Sequence, residues 1–427
     1  MNYKKFIPCI YLYKGNAVKN LLDTTVISMN PGELAKFYSE NNADEILLFD
    51  MSLEDKEREV NLSIIKHMAN GVEVPLIGAG NIERMEDVKK LLYAGCKKAV
   101  IDLSKQSNID LMKEVSLKFG KDKIYGSFTD TETLSGNKIP IERYVSALIA
   151  MDESILKESI SIVARPIIAI LPLISLDKML QILSIEEIIG VSGEIVNDNA
   201  KEIYTLKKLS KENGIEVNTL ESAKKWSEFK LNAEGMIPVV VQDYKTNEVL
   251  MVAYMNEEAY ELTIETGQMT YFSRSRNEIW IKGKTSGHYQ YVKSLTADCD
   301  FDTLLAKVSQ VGAACHTGNY SCFFNELVKK EYEETNPLKV FEEVFAVIKD
   351  RKINPKEGSY TNYLFDKGVD KILKKLGEEA TEIVIAAKNP NPDEIKYEIS
   401  DFLYHMMVLM VEKDVTWEEI TEELAQR

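Results

Sequence analysis

Through the first 220 positions, short apolar, β-branched runs alternate with stretches whose apolar residues recur every three or four positions. The runs at 6–12, 45–49, 75–77, 99–101, 124–128, 146–150, 166–170 and 187–191 predict buried strands. Between them 31–41, 54–69, 85–94 and 176–183 have the period of amphipathic helices. Strands separated by helical crossovers, closed by a helix over 201–213, predict a (β/α)8 barrel. A doubly wound open sheet is the alternative topology.

The pattern changes after about residue 222. Residues 222–235 are polar and end in Gly235, as in a linker or an entry helix. Alternation then predicts strands at 237–241, 249–254, 269–274, 278–282 and 290–296, with helices at 257–266 and 301–311. From about residue 336 the period is helical: 338–352, 360–367, 369–388, 393–412 and 416–426, with Pro390 and Pro392 breaking the chain between the two long helices. We therefore expect a multi-domain chain. A barrel-like α/β domain spans 1–222, a mainly-β α+β domain 223–335, and an all-α domain 336–427.

Composition adds bounds. The formal charge of −16 argues against nucleic acid as a partner, although metals and a few local cations can still admit an anionic substrate. The longest apolar runs, such as 167–174, are too short to span a bilayer, and the start of the chain lacks the apolar segment of a signal peptide. Five cysteines, without the look of a pairing framework, suit a reducing, cytoplasmic setting.

Three of those cysteines fall close together. Cys299 is interleaved with Asp298, Asp300 and Asp302, and Cys315 and Cys322 follow. Thiolates suit zinc, and three protein ligands with an open position form the catalytic arrangement. Clustered Asp oxygens suit magnesium. If 294–300 is a strand edge, Asp298 and Asp300 share one face and Cys299 takes the other. His288 and His316 flank this region as candidate acid/base groups. Arg274, Arg276, Lys282 and Lys284 alternate along strand-like segments, where pairs can hold a phosphate. Inert buried cysteines, structural histidines and a solvated basic face are the ordinary alternatives.

Taken in order, Gly235 to Asp243, Val249 to Ala259, Thr270 to Arg276, Trp280 to His288, the Asp-Cys-Asp segment and Cys315-His316-Thr317-Gly318 resemble phosphoribosyl-AMP cyclohydrolase of histidine biosynthesis. The resemblance covers about a hundred residues. It implies zinc-activated water opening the purine ring, and a homodimer whose zinc thiolates are shared between subunits.

In the last domain, Glu378, Glu379 and Glu382 on one predicted helix and Glu398 and Asp401 on the next have spacings that align side chains on one face. Like charges so placed weaken a helix slightly, which suggests a cation between the helices; a solvated acidic face is the alternative. Apolar Ile383, Val384, Ile385, Phe402 and Leu403 predict partial burial of the acids. With Glu357-Gly358-Ser359-Tyr360-Thr361, Lys375 and Lys388, this segment resembles phosphoribosyl-ATP pyrophosphohydrolase. The resemblance implies magnesium-assisted attack of water on phosphoribosyl-ATP, releasing pyrophosphate, with Glu379 and Glu382 as catalytic carboxylates and Lys375 and Lys388 as substrate contacts.

The first domain resembles the barrel of the same pathway's cyclase and isomerase, through Ile7-Pro8-Cys9-Ile10, residues 43–50, 86–95 and 207–214. It departs from that family where chemistry is expected. Tyr11 stands in place of the first catalytic acid and Ser127 in place of the second. The phosphate grips read Gly78-Ala79-Gly80-Asn81 and Leu171-Pro172, and Leu-Pro removes both space and a donor. Asp50 and Asp152 are the acids left near strand ends. The expectation is a bifunctional hydrolase carrying a barrel without its reaction. A trifunctional enzyme and a zinc-stapled binding protein are the alternatives.

Overall fold

The computed structural model describes residues 3–328, 330, 339–390 and 392–425. The chain forms two compact units, residues 1–326 and 327–427. The expected boundary at 335/336 lies outside the described residues.

All eight expected barrel strands form, and their pairing decides between the two topologies. Parallel strands run Cys9–Tyr13, Ile46–Asp50, Leu76–Ala79, Lys98–Asp102, Ile124–Phe128, Ala147–Ala150, Ile167–Leu171 and Ile188–Gly193, each paired to the next. The ring closes because Lys5–Ile7, the start of the first run, pairs with Ile188–Gly193, while its continuation Cys9–Tyr13 pairs with Ile46–Asp50. Pro8 lies at the switch. It has no N–H to give either neighbour, yet its carbonyl accepts from Leu47 N–H at 3.0 Å. Alternate residues then part into two cores. Ile7, Cys9, Tyr11, Leu47, Phe49, Ile77, Val100, Tyr125, Ile149 and Ile168 fill the barrel interior. Phe6, Ile10, Leu12, Ile46, Leu48, Ile101 and Phe128 face the helical layer. Fully burying each large side chain contributes about 1.5–3 kcal/mol. An added hairpin, Asn16–Val18 with Val26–Ser28, extends the sheet beyond Cys9–Tyr13.

Residues 222–235 are irregular apart from one 3-10 turn, Trp226–Glu228, so the segment is a linker and not an entry helix. The middle domain is a four-stranded sheet in the order Val249–Met255, Ile237–Asp243, Leu304–Gln310, Gln290–Ala297, with a separate hairpin Thr270–Ser273/Glu278–Ile281. Helix Glu257–Thr266 is capped by the Asn256 side chain and stopped by Gly267 in the left-handed region. The predicted helix at 301–311 does not exist: Leu304–Gln310 is a central strand. Leu304, Ala306 and Val308 are buried at every second position, and strands on both sides pair with it. Leu, Ala, Lys and Gln favour helix locally, but two ladders of backbone hydrogen bonds and the shared core outweigh that preference.

Barrel and middle domain pack within one unit. Lys293 on Gln290–Ala297 pairs with Glu73 of the barrel, Lys208 with Glu265 at 2.8 Å, and Asn42 donates to the Thr266 carbonyl at 2.9 Å.

The second unit is helical: Val340–Ile353, Tyr360–Lys367, Val369–Ala386, Pro392–Glu412 and Trp417–Ala425. Predicted helix limits at 338 and 426 lie outside the described residues. Ile348, Leu364, Ile372, Met407, Val408 and Val411 form its core. No helix among the described residues is long and apolar enough to cross a membrane.

Gly80 answers a demand of the sheet itself. Its φ is +91°, and a Cβ there would overlap the Asp50 carbonyl oxygen on the neighbouring strand. Gly80→Ala should therefore destabilise the first unit by roughly 3 kcal/mol or more, read as a lowered denaturation midpoint.

Candidate functional site

The acids at 298, 300 and 302 are gathered by a turn, not by strand alternation. Gln290–Ala297 ends before them, and Phe301 takes a positive φ of 62° that reverses the chain. Asp298 Oδ1 accepts the N–H groups of Asp302 at 3.0 Å and Thr303 at 3.3 Å, and Asp298 N–H returns to the Thr303 carbonyl. Partial desolvation would raise the Asp298 carboxyl, but those Thr303 and Asp302 hydrogen bonds win and hold it below the ordinary range. One oxygen from each of Asp298, Asp300 and Asp302 lies within 4.8 Å of the others, all three side chains exposed. Lys230 pairs with Asp300 at 3.2 Å.

Cys315 and Cys322 meet across a loop. Ala314 N–H reaches the Tyr320 carbonyl and Cys315 N–H the Asn319 carbonyl, both at 3.1 Å, while Cys322 N–H is fixed at 2.7 Å on Leu250 O of the sheet. The Thr317 hydroxyl, 3.1 Å from Cys315 Sγ, draws that thiol below its usual range; burial and the neighbouring Cys315 push the Cys322 thiol up. Cys299 is exposed on the acid turn, and among the described residues the three thiols form no single cluster. His316 Nδ1 lies 4.0 Å from Cys315 Sγ, and the half-buried His288 ring packs where a side chain on Gly312 would sit.

The basic residues sit on turns and not along strand faces. Arg274 and Arg276 are exposed on the tip of the Thr270–Ser273/Glu278–Ile281 hairpin, Arg274 over the Tyr254 ring at 3.9 Å and Arg276 on Glu278 at 3.2 Å. Lys284 is exposed on the next turn. Lys282 differs: it is buried, its ammonium donates to the Ala314 carbonyl, and its desolvated charge lies beside both thiols. That places it behind the thiol pair.

In the second unit, oxygens of Glu379, Glu382 and Glu398 lie within 4.8 Å of one another, drawn from helices Val369–Ala386 and Pro392–Glu412. Glu379 is buried, Glu398 half-buried and Glu382 exposed. Glu378 is turned to Lys375 at 3.0 Å and Lys374 at 3.4 Å and stays outside the trio, as does Asp401. The expected apolar shield is partial, since Val384 and Ile385 are exposed. Lys375 also approaches Glu379 at 3.6 Å, and Lys388 is exposed beyond the helix end. Desolvation, then the adjacent Glu382, raises the Glu398 carboxyl. Crowded oxygen donors of this kind fit a hard divalent cation.

In the barrel, Tyr11 is buried and stacked on Phe49 with ring centroids 5.3 Å apart, and burial raises its phenol. Asp50 is buried on Asn61 Nδ2 at 2.6 Å and Ser52 N–H at 3.0 Å, and Asp152 caps the turn Glu153–Ile155. Both remaining acids therefore have structural partners.

Family models match in three places: phosphoribosyl-AMP cyclohydrolase over residues 251–324, phosphoribosyl-ATP pyrophosphohydrolase over 341–427, and histidine biosynthesis protein over 5–142. Histidine biosynthesis bifunctional protein HisIE of Thermoanaerobacter pseudethanolicus is 56% identical over 209 residues, 46% of this chain and 97% of that protein. The HisIE protein of Bacillus subtilis is 47% identical over 204 residues, 48% of this chain and 97% of the relative. The chain belongs to the HisIE family. It is a hydrolase of histidine biosynthesis with cyclohydrolase and pyrophosphohydrolase domains. These HisIE relatives account for its C-terminal half alone, so the barrel is an addition to the family's two-domain plan.

Two residues beside the helical acids carried no assignment from sequence, Tyr360 and His405. The available signal was spacing, since His405 lies one helical turn after Asp401.

Because Glu398 is raised, its unfavourable charge appears as pH climbs through its folded pKa. Glu398→Gln should thus raise the unfolding temperature of the metal-free protein at pH 7 and change it little at pH 4. The same substitution should depress pyrophosphate release. Differential scanning calorimetry at the two pH values checks the sign.

Proposed function

We propose that the helical unit hydrolyses phosphoribosyl-ATP to phosphoribosyl-AMP and pyrophosphate, and that the middle domain then opens the purine ring of phosphoribosyl-AMP. The observation that carries this reading is that two chemically different donor sets, oxygen-only on the helices and sulfur beside oxygen in the middle domain, coincide with the two matched hydrolase families.

In the helical unit Glu379, Glu382 and Glu398 would hold magnesium, with Asp401 and Glu378 near by. Bound there, magnesium supplies charge neutralisation for the polyphosphate and a more acidic water. Lys375 and Lys388 supply cationic contacts to substrate. In the middle domain Cys315 and Cys322 provide two thiolates for zinc, and Cys299 of a second copy of the chain provides the third, so the active species is a homodimer. Zinc supplies a water acidic enough to attack at neutral pH. Asp298, Asp300 and Asp302 would hold magnesium, which would supply positive charge for the substrate phosphate, and Arg274, Arg276 and Lys284 supply cationic contacts. His316, exposed beside Cys315, moves a proton during addition of water across the C–N1 bond, and His288 is the alternative acid/base group. Lys282 steadies the thiolate pair from behind.

A third, barrel activity has one observation in its favour, the family match over 5–142. Against it stand Tyr11 and Ser127 at the acid positions and structural partners for Asp50 and Asp152. We read the barrel as catalytically silent, and residues 1–222, 223–335 and 336–427 as the three domains.

Cys315→Ser should lower zinc content and slow ring opening roughly 100-fold or more, leaving pyrophosphate release intact. Glu382→Gln should do the reverse, slowing pyrophosphate release on the order of 100-fold or more while supplied phosphoribosyl-AMP is still opened. Following pyrophosphate and ring opening separately, with metal analysis of each variant, tests both; unchanged rates and metal content would refute the assignments.

A further inference from the structure

We infer that His405, held by the Tyr360 hydroxyl, is a positioning residue that sets the helical carboxylates for pyrophosphate release; the inference rests on the reading of that site given above. His405 is buried, on helix Pro392–Glu412. Its Nδ1 lies 2.8 Å from the Asp401 carbonyl oxygen one turn earlier. A carbonyl can only accept, so Nδ1 carries a hydrogen. In the neutral ring Nε2 then accepts from Tyr360, whose hydroxyl is 3.1 Å away. Nδ1 also stands 3.8 Å from Glu379 Oε1.

The ring has little freedom to leave this position. Tyr360 and Tyr404 meet it edge-on, at centroid distances of 5.9 and 5.4 Å and interplanar angles of 87° and 83°. Tyr404 is fixed in turn by Thr361 Oγ1 at 2.7 Å. Glu379 is the buried member of the carboxylate trio, bracketed by the imidazole and Lys375. Burying an imidazole and a carboxylate beside the apolar core of Ile348, Leu364, Met407 and Val408 is unfavourable unless their polar atoms are met. A leucine would fill the volume at lower cost, so the polar chain has a task other than packing. Its outer end supplies one: the half-exposed Tyr360 ring lines an open cleft of about 570 Å³ with Lys356, Ser359, Tyr363 and Asp366. Hydrogen bonds therefore run from the cleft wall through the imidazole to the backbone of Asp401, and the ring they hold stands 3.8 Å from Glu379 Oε1.

The test uses the full chain. Tyr360→Phe keeps the ring and its packing and removes the hydroxyl. It should lower kcat for pyrophosphate release about 10-fold with KM for phosphoribosyl-ATP nearly unchanged, and weaken binding of Mn2+ alone about 10-fold by calorimetry. The Mn2+ titration is run in an Asp298→Asn/Asp300→Asn background, which silences the acid turn. Ring opening of supplied phosphoribosyl-AMP, measured without that background, should stay at the wild-type rate. His405→Asn retains a donor near Nδ1 but has nothing at Nε2, so adding Tyr360→Phe to it should cause no further loss. Wild-type kcat and Mn2+ affinity in Tyr360→Phe would overturn the inference, whether or not His405→Asn folds. A raised KM with kcat and Mn2+ affinity unchanged would also overturn it, making Tyr360 a substrate contact. Glu382→Gln run in parallel separates the two levels. If Glu382→Gln loses pyrophosphate release and Tyr360→Phe does not, only the positioning role falls. If Glu382→Gln also keeps it, the reading of the site falls with it.

Discussion

Carboxylates repel one another, and both candidate sites depend on holding them together against that repulsion. The two halves of the molecule solve this with different frames. At residues 298–303 the frame is backbone hydrogen bonding: N–H groups of Asp302 and Thr303 converge on Asp298, and the left-handed Phe301 turns the chain so that three carboxylates end on one side. In the helical unit the frame is apolar packing. Helices Val369–Ala386 and Pro392–Glu412 are locked by Ile372, Met407 and Val408, and Glu379, Glu382 and Glu398 are brought together across the seam. The raised Glu398 and the lowered Asp298 record this difference, since Glu398 is desolvated and then crowded by other acids, while hydrogen bonds outweigh desolvation at Asp298.

The barrel shows the opposite economy. Its strands, crossovers and closing pair are complete, and Tyr11 and the acid Asp50 at a strand end are engaged in packing and local bonding. Tyr11 stacks on Phe49, and Asp50 is taken up by Asn61 and Ser52. Gly80 is required as glycine because the Asp50 carbonyl passes too close for a side chain, a demand of the barrel itself.

Most of the architecture was legible because the periodicities were clean. The eight barrel runs and the helices of the second unit fall within a few residues of their predicted places. The failure at Leu304–Gln310 has a definite cause. Leu304 and Val308 satisfy a helical period as well as a strand period, and only the partners on either side, invisible in the local pattern, decide between them. The acid turn was found by composition and misread in geometry, since Asp298, Asp300 and Asp302 also match strand alternation. The three thiols stood out in the sequence, but spacing could not tell that Cys299 would not cluster with Cys315 and Cys322 within one chain. Lys282 was expected on an open basic face, yet a lysine can bury its stem and reach a carbonyl, and here it does.

The contact between Lys293 and Glu73 reaches further than its own energy. Lys293 stands on the strand that leads directly into the acid turn, and Glu73 belongs to the barrel. On the proposed reading of the barrel as catalytically silent, no reaction of its own would keep its fold under selection. Here the strand delivering Asp298 and Cys299 is tied to that domain, so a substitution that unfolds the barrel removes a support from the candidate site. On the proposed function, selection on ring opening would then protect the barrel's core, whose eight strands are intact.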